Sequence, residues 1–202
     1  MLERSRFDRS NPDIMSMIYW SDAQIRVSGR EYNGLVGSPC FKKGEGARKM
    51  SCVSCHSMHG KRQDLATWKT DQLKPEHRGN VACVSCHETY KDPAVLTAHT
   101  RHSAESSGSN CYNCHMPYTT YGLLKAIRSH TITSPSVHES LKVGRPNACN
   151  QCHTDKTFKW TATHLKKWYD QPVPPFSAYQ ESVPATLLWA LSGDAGQRAL
   201  AA

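Results

Sequence analysis

The chain has 202 residues, 38% of them hydrophobic, and a formal net charge of +8. The basic side chains are scattered, with no run longer than Lys42-Lys43 or Lys166-Lys167. That excludes the clustered footprint of a nucleic-acid binder, and no stretch approaches the ~18 apolar residues of a membrane span. A mean hydropathy of −0.61 is lean for a chain of this length, so something besides aliphatic side chains is expected to fill the interior.

Residues 1–37 carry neither Cys nor His and read as an N-terminal arm. Within it Met15-Ser-Met-Ile-Tyr-Trp20 is a short apolar run, and Asp22 to Arg30 alternates weakly, as an edge strand or extended arm would. Residues 38–170 hold all the Cys, with loops and short helices between them, and form the predicted central domain. Pro172, Pro174 and Pro175 mark a linker. Pro184 then opens a helix-like run, Ala185-Thr-Leu-Leu-Trp-Ala-Leu191, and a second begins at Asp194. Residues 171–202 are thus expected to be a Pro-rich linker and the start of a helical, repeat-like segment that stops without a cap.

Four pentapeptides carry the chemistry: Cys52-Val-Ser-Cys55-His56, Cys83-Val-Ser-Cys86-His87, Cys111-Tyr-Asn-Cys114-His115 and Cys149-Asn-Gln-Cys152-His153. They recur after 31, 28 and 38 residues, too unevenly for a solenoid. C-x-x-C-H is the attachment signature of c-type haem. The two sulfurs form thioethers with the vinyl groups on one edge of the macrocycle, and the adjoining His becomes the proximal iron ligand. The Cys and His content predicts roughly 0.02 chance matches in the whole chain, whereas four occur and use eight of the nine Cys. Zinc sites built from C-x-x-C pairs do not need His directly after the second Cys, nor do redox disulfides. Four covalent haems c are therefore expected, filling much of the interior. Cys40 stands apart and reads as a small buried side chain rather than a free thiol or a haem-edge contact.

Seven His remain for the distal side: His59, His77, His99, His102, His130, His138 and His164. The supply suffices for bis-His ligation of every haem. Met58 and Met116 lie too close to their own proximal His to reach the same iron, and Met50 is the only free alternative. His59, three residues after His56, would sit beside the first haem and face a neighbour. His138 and His77 read most readily as surface or packing residues.

The segment Cys111-Tyr-Asn-Cys-His-Met-Pro-Tyr118, then Ser129-His130, Ser134-Pro135 and Ala148-Cys-Asn-Gln-Cys-His153, resembles the last two haem segments of pentahaem ammonia-forming nitrite reductase. It is similar also to the tetrahaem cytochrome that takes electrons from hydroxylamine oxidoreductase. The likeness is greatest to multihaem proteins in which such a module precedes TPR- or HEAT-type repeats. The resemblance implies His130 as distal ligand of the first haem, His102 (or His99) of the fourth and His164 of the third. The second then draws on His59 or His77, or keeps an open position. The reductase's active-site haem has Lys in place of the proximal His, and this chain has no C-x-x-C-K, so the resemblance carries no nitrite reductase activity with it.

The expected fold is mainly α-helical with much irregular structure, a multihaem cytochrome c fold wrapped around four haems. The expected function is electron transfer between a redox protein donor and acceptor. The alternative is reduction of a small nitrogen or sulfur oxyanion at a five-coordinate haem, the second being the place to look. A helical repeat after residue 185 could also dock a partner while the haems conduct. Haem attachment happens outside the cytoplasm, so a periplasmic or extracellular location is expected. Met1 to Arg30 has no apolar signal region, which suggests a trimmed signal, a longer polypeptide or a multihaem assembly.

Overall fold

The computed structural model describes residues 12–26, 29–59, 66, 72–121 and 125–202. Among them the chain is mainly helical, with much irregular backbone between short elements. Helices α1 (Pro12–Ile18), α2 (Glu31–Gly37), α3 (Pro39–Lys43), α4 (Cys52–Cys55), α5 (Val81–Val84), α6 (Pro93–Thr100) and α7 (Cys111–His115) come first. A hairpin follows, β1 (Tyr118–Tyr121) antiparallel to β2 (Lys125–Arg128), with Tyr118 opposite Arg128 and Thr119 opposite Ile127. Helices α8 (Val137–Val143), α9 (Phe158–Tyr169), α10 (Ala178–Ser182), α11 (Ala185–Ser192) and α12 (Ala195–Ala201) complete the chain.

Most of these helices are too short to be stable alone, and their ends are fixed by local side chains. Asp92 caps α6 by accepting from Ala94 N at 2.7 Å, with Pro93 at the first helical position. Arg101, left-handed at φ 61°, ends that helix. Thr157 caps α9 through Trp160 N at 3.0 Å. Ser177 with Gln180, and Asp194 with Gln197, form capping boxes on α10 and α12.

The apolar core is small and lies towards the C-terminus. Phe158, Ala162 and Leu165 make one face of α9 and pack with Val137 of α8 and with Ala185 and Trp189 of α11. Phe158 meets Trp189 edge-on at 5.9 Å. Polar ties bring the rest of the chain onto this core. Ala185 N donates to Lys156 O at 3.0 Å, and Thr186 Oγ1 to Thr154 O at 2.5 Å. From the N-terminal arm, Arg26 pairs with Asp194 at 2.5 Å and Asp22 with Arg145 at 3.4 Å. Trp20 and Ile25 of that arm are buried, and Thr119 Oγ1 of β1 donates to Arg26 O at 2.9 Å. Among the described residues no helix is long and apolar enough to cross a membrane.

Trp189 is 4% exposed and Leu191, two residues on, is 79% exposed. Trp189→Ala should lower stability by about 3 kcal/mol, whereas Leu191→Ala should stay within ~0.5 kcal/mol of the parent. Urea unfolding of the haem-loaded protein, followed by far-ultraviolet circular dichroism, checks the difference.

Candidate functional site

Each pentapeptide begins on a single tight turn. Cys52–Cys55 is α4, Cys83 lies in α5, Cys111–His115 is α7, and Cys149–Gln151 is a 3-10 turn. Residues three apart on such a turn share a face, which suits two sulfurs on one macrocycle edge. The closing His is set by the same turn. His56 N donates to Cys52 O at 2.9 Å, His87 N to Cys83 O at 3.0 Å, and His153 N to Cys149 O at 2.8 Å.

The imidazoles are oriented one by one. His56 Nδ1 lies 3.2 Å from Gln72 O, His115 Nδ1 3.0 Å from Thr133 O, His130 Nδ1 3.0 Å from Arg128 O, and His102 Nδ1 2.7 Å from Thr100 O. A carbonyl can only accept, so each Nδ1 carries a proton and Nε2 is the nitrogen left to meet a metal. Burial pushes the pKa of His99, His115, His130 and His153 down, which favours the neutral ring that binds a metal.

These rings face one another in pairs. His56 and His130 have centroids 6.1 Å apart at an interplanar angle of 30°, His99 and His115 6.2 Å at 4°, and His102 and His153 6.0 Å at 34°. A metal–imidazole bond is about 2 Å, and in a five-membered ring of ~1.33 Å bonds the nitrogen lies roughly 1 Å from the centroid, so two rings sharing one metal stand about 6 Å apart. The three pairs meet that requirement. Imidazole pairs beside C-x-x-C-H sulfurs are a donor set that suits iron in a covalently attached macrocycle.

The other predicted ligands lie elsewhere. His164 is on α9, its Nδ1 2.9 Å from Trp160 O one turn back, with its ring 4.1 Å from Trp160 and 4.8 Å from Trp168. The imidazole opposite His115 is His99, not His164. His138 is exposed on α8. His77 is half-buried in the 3-10 turn Pro75–His77, and its Nδ1 is buried with no hydrogen-bond partner among the described residues. His87 faces no other ring among the described residues, His59 and His77 included.

Burial acts on several of the motif thiols. Burial raises the Cys55 thiol pKa, Lys74 opposes the rise, and Cys86 and Cys40 add to it from nearby. Cys111 nearby raises the Cys83 thiol pKa, and Cys83 in turn lowers that of Cys111. Burial, then Cys152, raises Cys114. Burial, then Cys114, pushes Cys149 up to about 12. Cys40 is half-buried on α3 beside Cys86 and Cys55.

Several supporting residues carry no sequence signature. Asn80 spans two motifs, its Nδ2 donating to Ser109 O at 2.8 Å and its Oδ1 accepting from Cys111 N at 2.9 Å. Asn150, wholly buried inside the fourth motif, donates to Lys156 O at 3.0 Å and accepts from Thr161 Oγ1 at 3.0 Å. Tyr169 OH donates to His99 O. The Arg128 guanidinium lies 3.9 Å from the Tyr118 ring centroid and 4.8 Å from that of Tyr112, and its NH2 bonds Asn113 Oδ1 at 2.6 Å. Two glycines permit close approach. A Cβ on Gly34 would meet Thr131 N at 2.9 Å, beside His130, and one on Gly108 would meet His102 Cδ2 at 2.3 Å.

Residues 96–173 match the family described as cytochrome c552, and residues 45–92 match the doubled CXXCH motif family. The first match spans the last two pentapeptides with His99, His102, His130 and His164, and the second spans the first two pentapeptides. No curated protein and no solved structure gives a match.

Gly108→Ala should displace the His102 ring, because the added methyl has nowhere to go without moving it. In the haem-loaded protein the expected outcome is loss of one low-spin signal with gain of one high-spin signal in the ferric spectrum, and Ser107→Ala should leave the spectrum as it was.

Proposed function

We propose that this chain, a multihaem c-type cytochrome, carries electrons through four covalently held haems, three of them with two imidazole ligands each. Haem c when bound supplies one-electron ferric–ferrous chemistry, with a potential tuned by its axial ligands and surroundings. The chain's part is attachment, orientation and order. Cys52 with Cys55, Cys83 with Cys86, Cys111 with Cys114 and Cys149 with Cys152 clamp the macrocycle edges. His56, His87, His115 and His153 are the proximal ligands. His130 serves the first motif, His99 the third and His102 the fourth. The observation that carries this reading is the facing of three imidazole pairs at 6.0 to 6.2 Å.

Two neutral imidazoles on one iron leave no coordination position for a substrate, so these three sites are suited to passing electrons rather than to chemistry on a ligand. Asn80, which bonds Ser109 O and Cys111 N from just before Cys83, ties the second motif to the third. His99 and His102, three residues apart at the end of α6, hold the third and fourth sites in fixed relation. Redox proteins outside the cytoplasm are the donor and acceptor in this reading.

A second reading rests on His87, which faces no imidazole among the described residues. In it, a small nitrogen or sulfur oxyanion is reduced at the second site, and His59 and His77 are spectators. Electron paramagnetic resonance separates the two. Electron transfer alone, with His59 or His77 completing the second site, predicts only low-spin ferric haem, while a high-spin signal that shifts on adding nitrite would favour the second reading.

Two outcomes test the assignments. The intact mass of the matured protein should exceed that of its amino acids by about 2.5 kDa, the contribution of four haems, and Cys52→Ala with Cys55→Ala should remove one quarter of that increment. His99→Ala should convert one haem to high spin, whereas His164→Ala should convert none. The reverse result would return His164 to the third site.

A further inference from the structure

The chain that leaves the hairpin serves two of the facing ring pairs at once. Arg128 O accepts from His130 Nδ1 at 3.0 Å, and the His130 ring faces His56 of the first motif. Further along, Thr133 O accepts from His115 Nδ1 at 3.0 Å, and Thr133 N donates to His115 O at 3.1 Å. His115 belongs to the third motif and faces His99. Residues 128–133 therefore form a strut that holds one ring of each pair. The strut is firmly seated. Ser129 and Thr131 are buried, Ser129 N donates to Pro117 O at 2.9 Å, and α2 presses so close that a Cβ on Gly34 would meet Thr131 N at 2.9 Å.

The Arg128 side chain fastens this strut to the third motif. Its guanidinium donates to Asn113 Oδ1 at 2.6 Å and reaches Tyr112 O at 3.4 Å and Met116 O at 3.5 Å, at the C-terminal end of α7. It also lies over the rings of Tyr112 and of Tyr118, its partner across the hairpin. A planar fork of donors with two stacking faces suits all of these contacts together. We propose that Arg128 is a positioning residue for two iron sites: its carbonyl orients His130 for the first site, and its guanidinium locks that carbonyl to α7, which carries His115 of the third. A displacement in the third motif is then passed along the strut to the distal ligand of the first. The proposal rests on the bis-imidazole reading above and adds to it the residue that keeps two sites in register. Ring orientation and the hydrogen bond at the outer nitrogen both tune a ligated iron, so a loss of register is visible at each site.

Electron paramagnetic resonance of the haem-loaded ferric protein reads the low-spin irons separately. His130→Ala and His99→Ala identify the first-site and third-site signals by converting each to high spin. Arg128→Ala should shift both of these signals and leave in place the one that Gly108→Ala removes. Arg128→Lys should shift them as the alanine variant does, because an ammonium keeps the charge but not the fork that spans Asn113 and the two carbonyls. Asn113→Ala, a change confined to the third motif, should move the first-site signal as well. An unmoved first-site signal in either Arg128→Ala or Asn113→Ala would overturn the proposal. So would an Arg128→Lys spectrum identical to the parent's, which would leave the residue a role of charge alone. A lower urea midpoint with every signal unmoved would make Arg128 merely structural and overturn it equally. If Arg128→Ala does not load haem, Arg128→Lys and Asn113→Ala carry the comparison. The two levels come apart in the assignment step: His130→Ala with every low-spin signal intact ends the ligation reading and this proposal with it, while assigned signals with an unresponsive first site end the proposal alone.

Discussion

A protonated Nδ1 held by a backbone carbonyl is the contact on which the site depends. In His56, His102, His115 and His130 it fixes the tautomer, the ring plane and the direction of the Nε2 lone pair together. A ring held this way does not have to be reoriented when metal arrives, so less ordering entropy is lost on ligation. His164 makes the same kind of bond, but to the carbonyl of its own helix and between two tryptophans. The bond is therefore not sufficient to make a ligand: the ring must also have a partner opposite.

The economy of the fold follows. Buried aliphatic packing is concentrated in α8, α9 and α11. The segments that carry the first three motifs are helices of four or five residues, tied by amide bridges such as Asn80 between the second and third motifs. Such pieces cannot bury enough surface alone to offset their ordering entropy. Covalent clamps and ligands drawn from other segments suit this need, since each ties distant stretches of chain to one rigid plate.

The pairing also shapes function. His130 leaves the hairpin after the third motif and returns to the first, and His99 and His102 leave one helix end for two different motifs. In the proposed ligation, two ligands on one helix end would couple the third and fourth sites mechanically, so displacing that end would alter both. Gly34 and Gly108 show how tight this arrangement is, since each stands where one added carbon would press on a ligand segment.

The attachment chemistry was legible in the chain because it is local. Two sulfurs and an imidazole within five residues need nothing from the rest of the molecule, and the mainly helical, irregular fold followed from motif spacing, proline and glycine. The family resemblance pointed to His130 for the first motif and His102 for the fourth, and the rings lie opposite His56 and His153. It pointed to His164 for the third, where the facing ring is His99. No local pattern could decide between them, because a distal ligand is defined by what lies across a 6 Å spacing and not by its neighbours in sequence. The same holds for Asn80, Gly34 and Gly108. Residue types and short spacings determined which groups bind; only the tertiary path of the chain, which sets the partner on the far side of each ring, decided how they are paired.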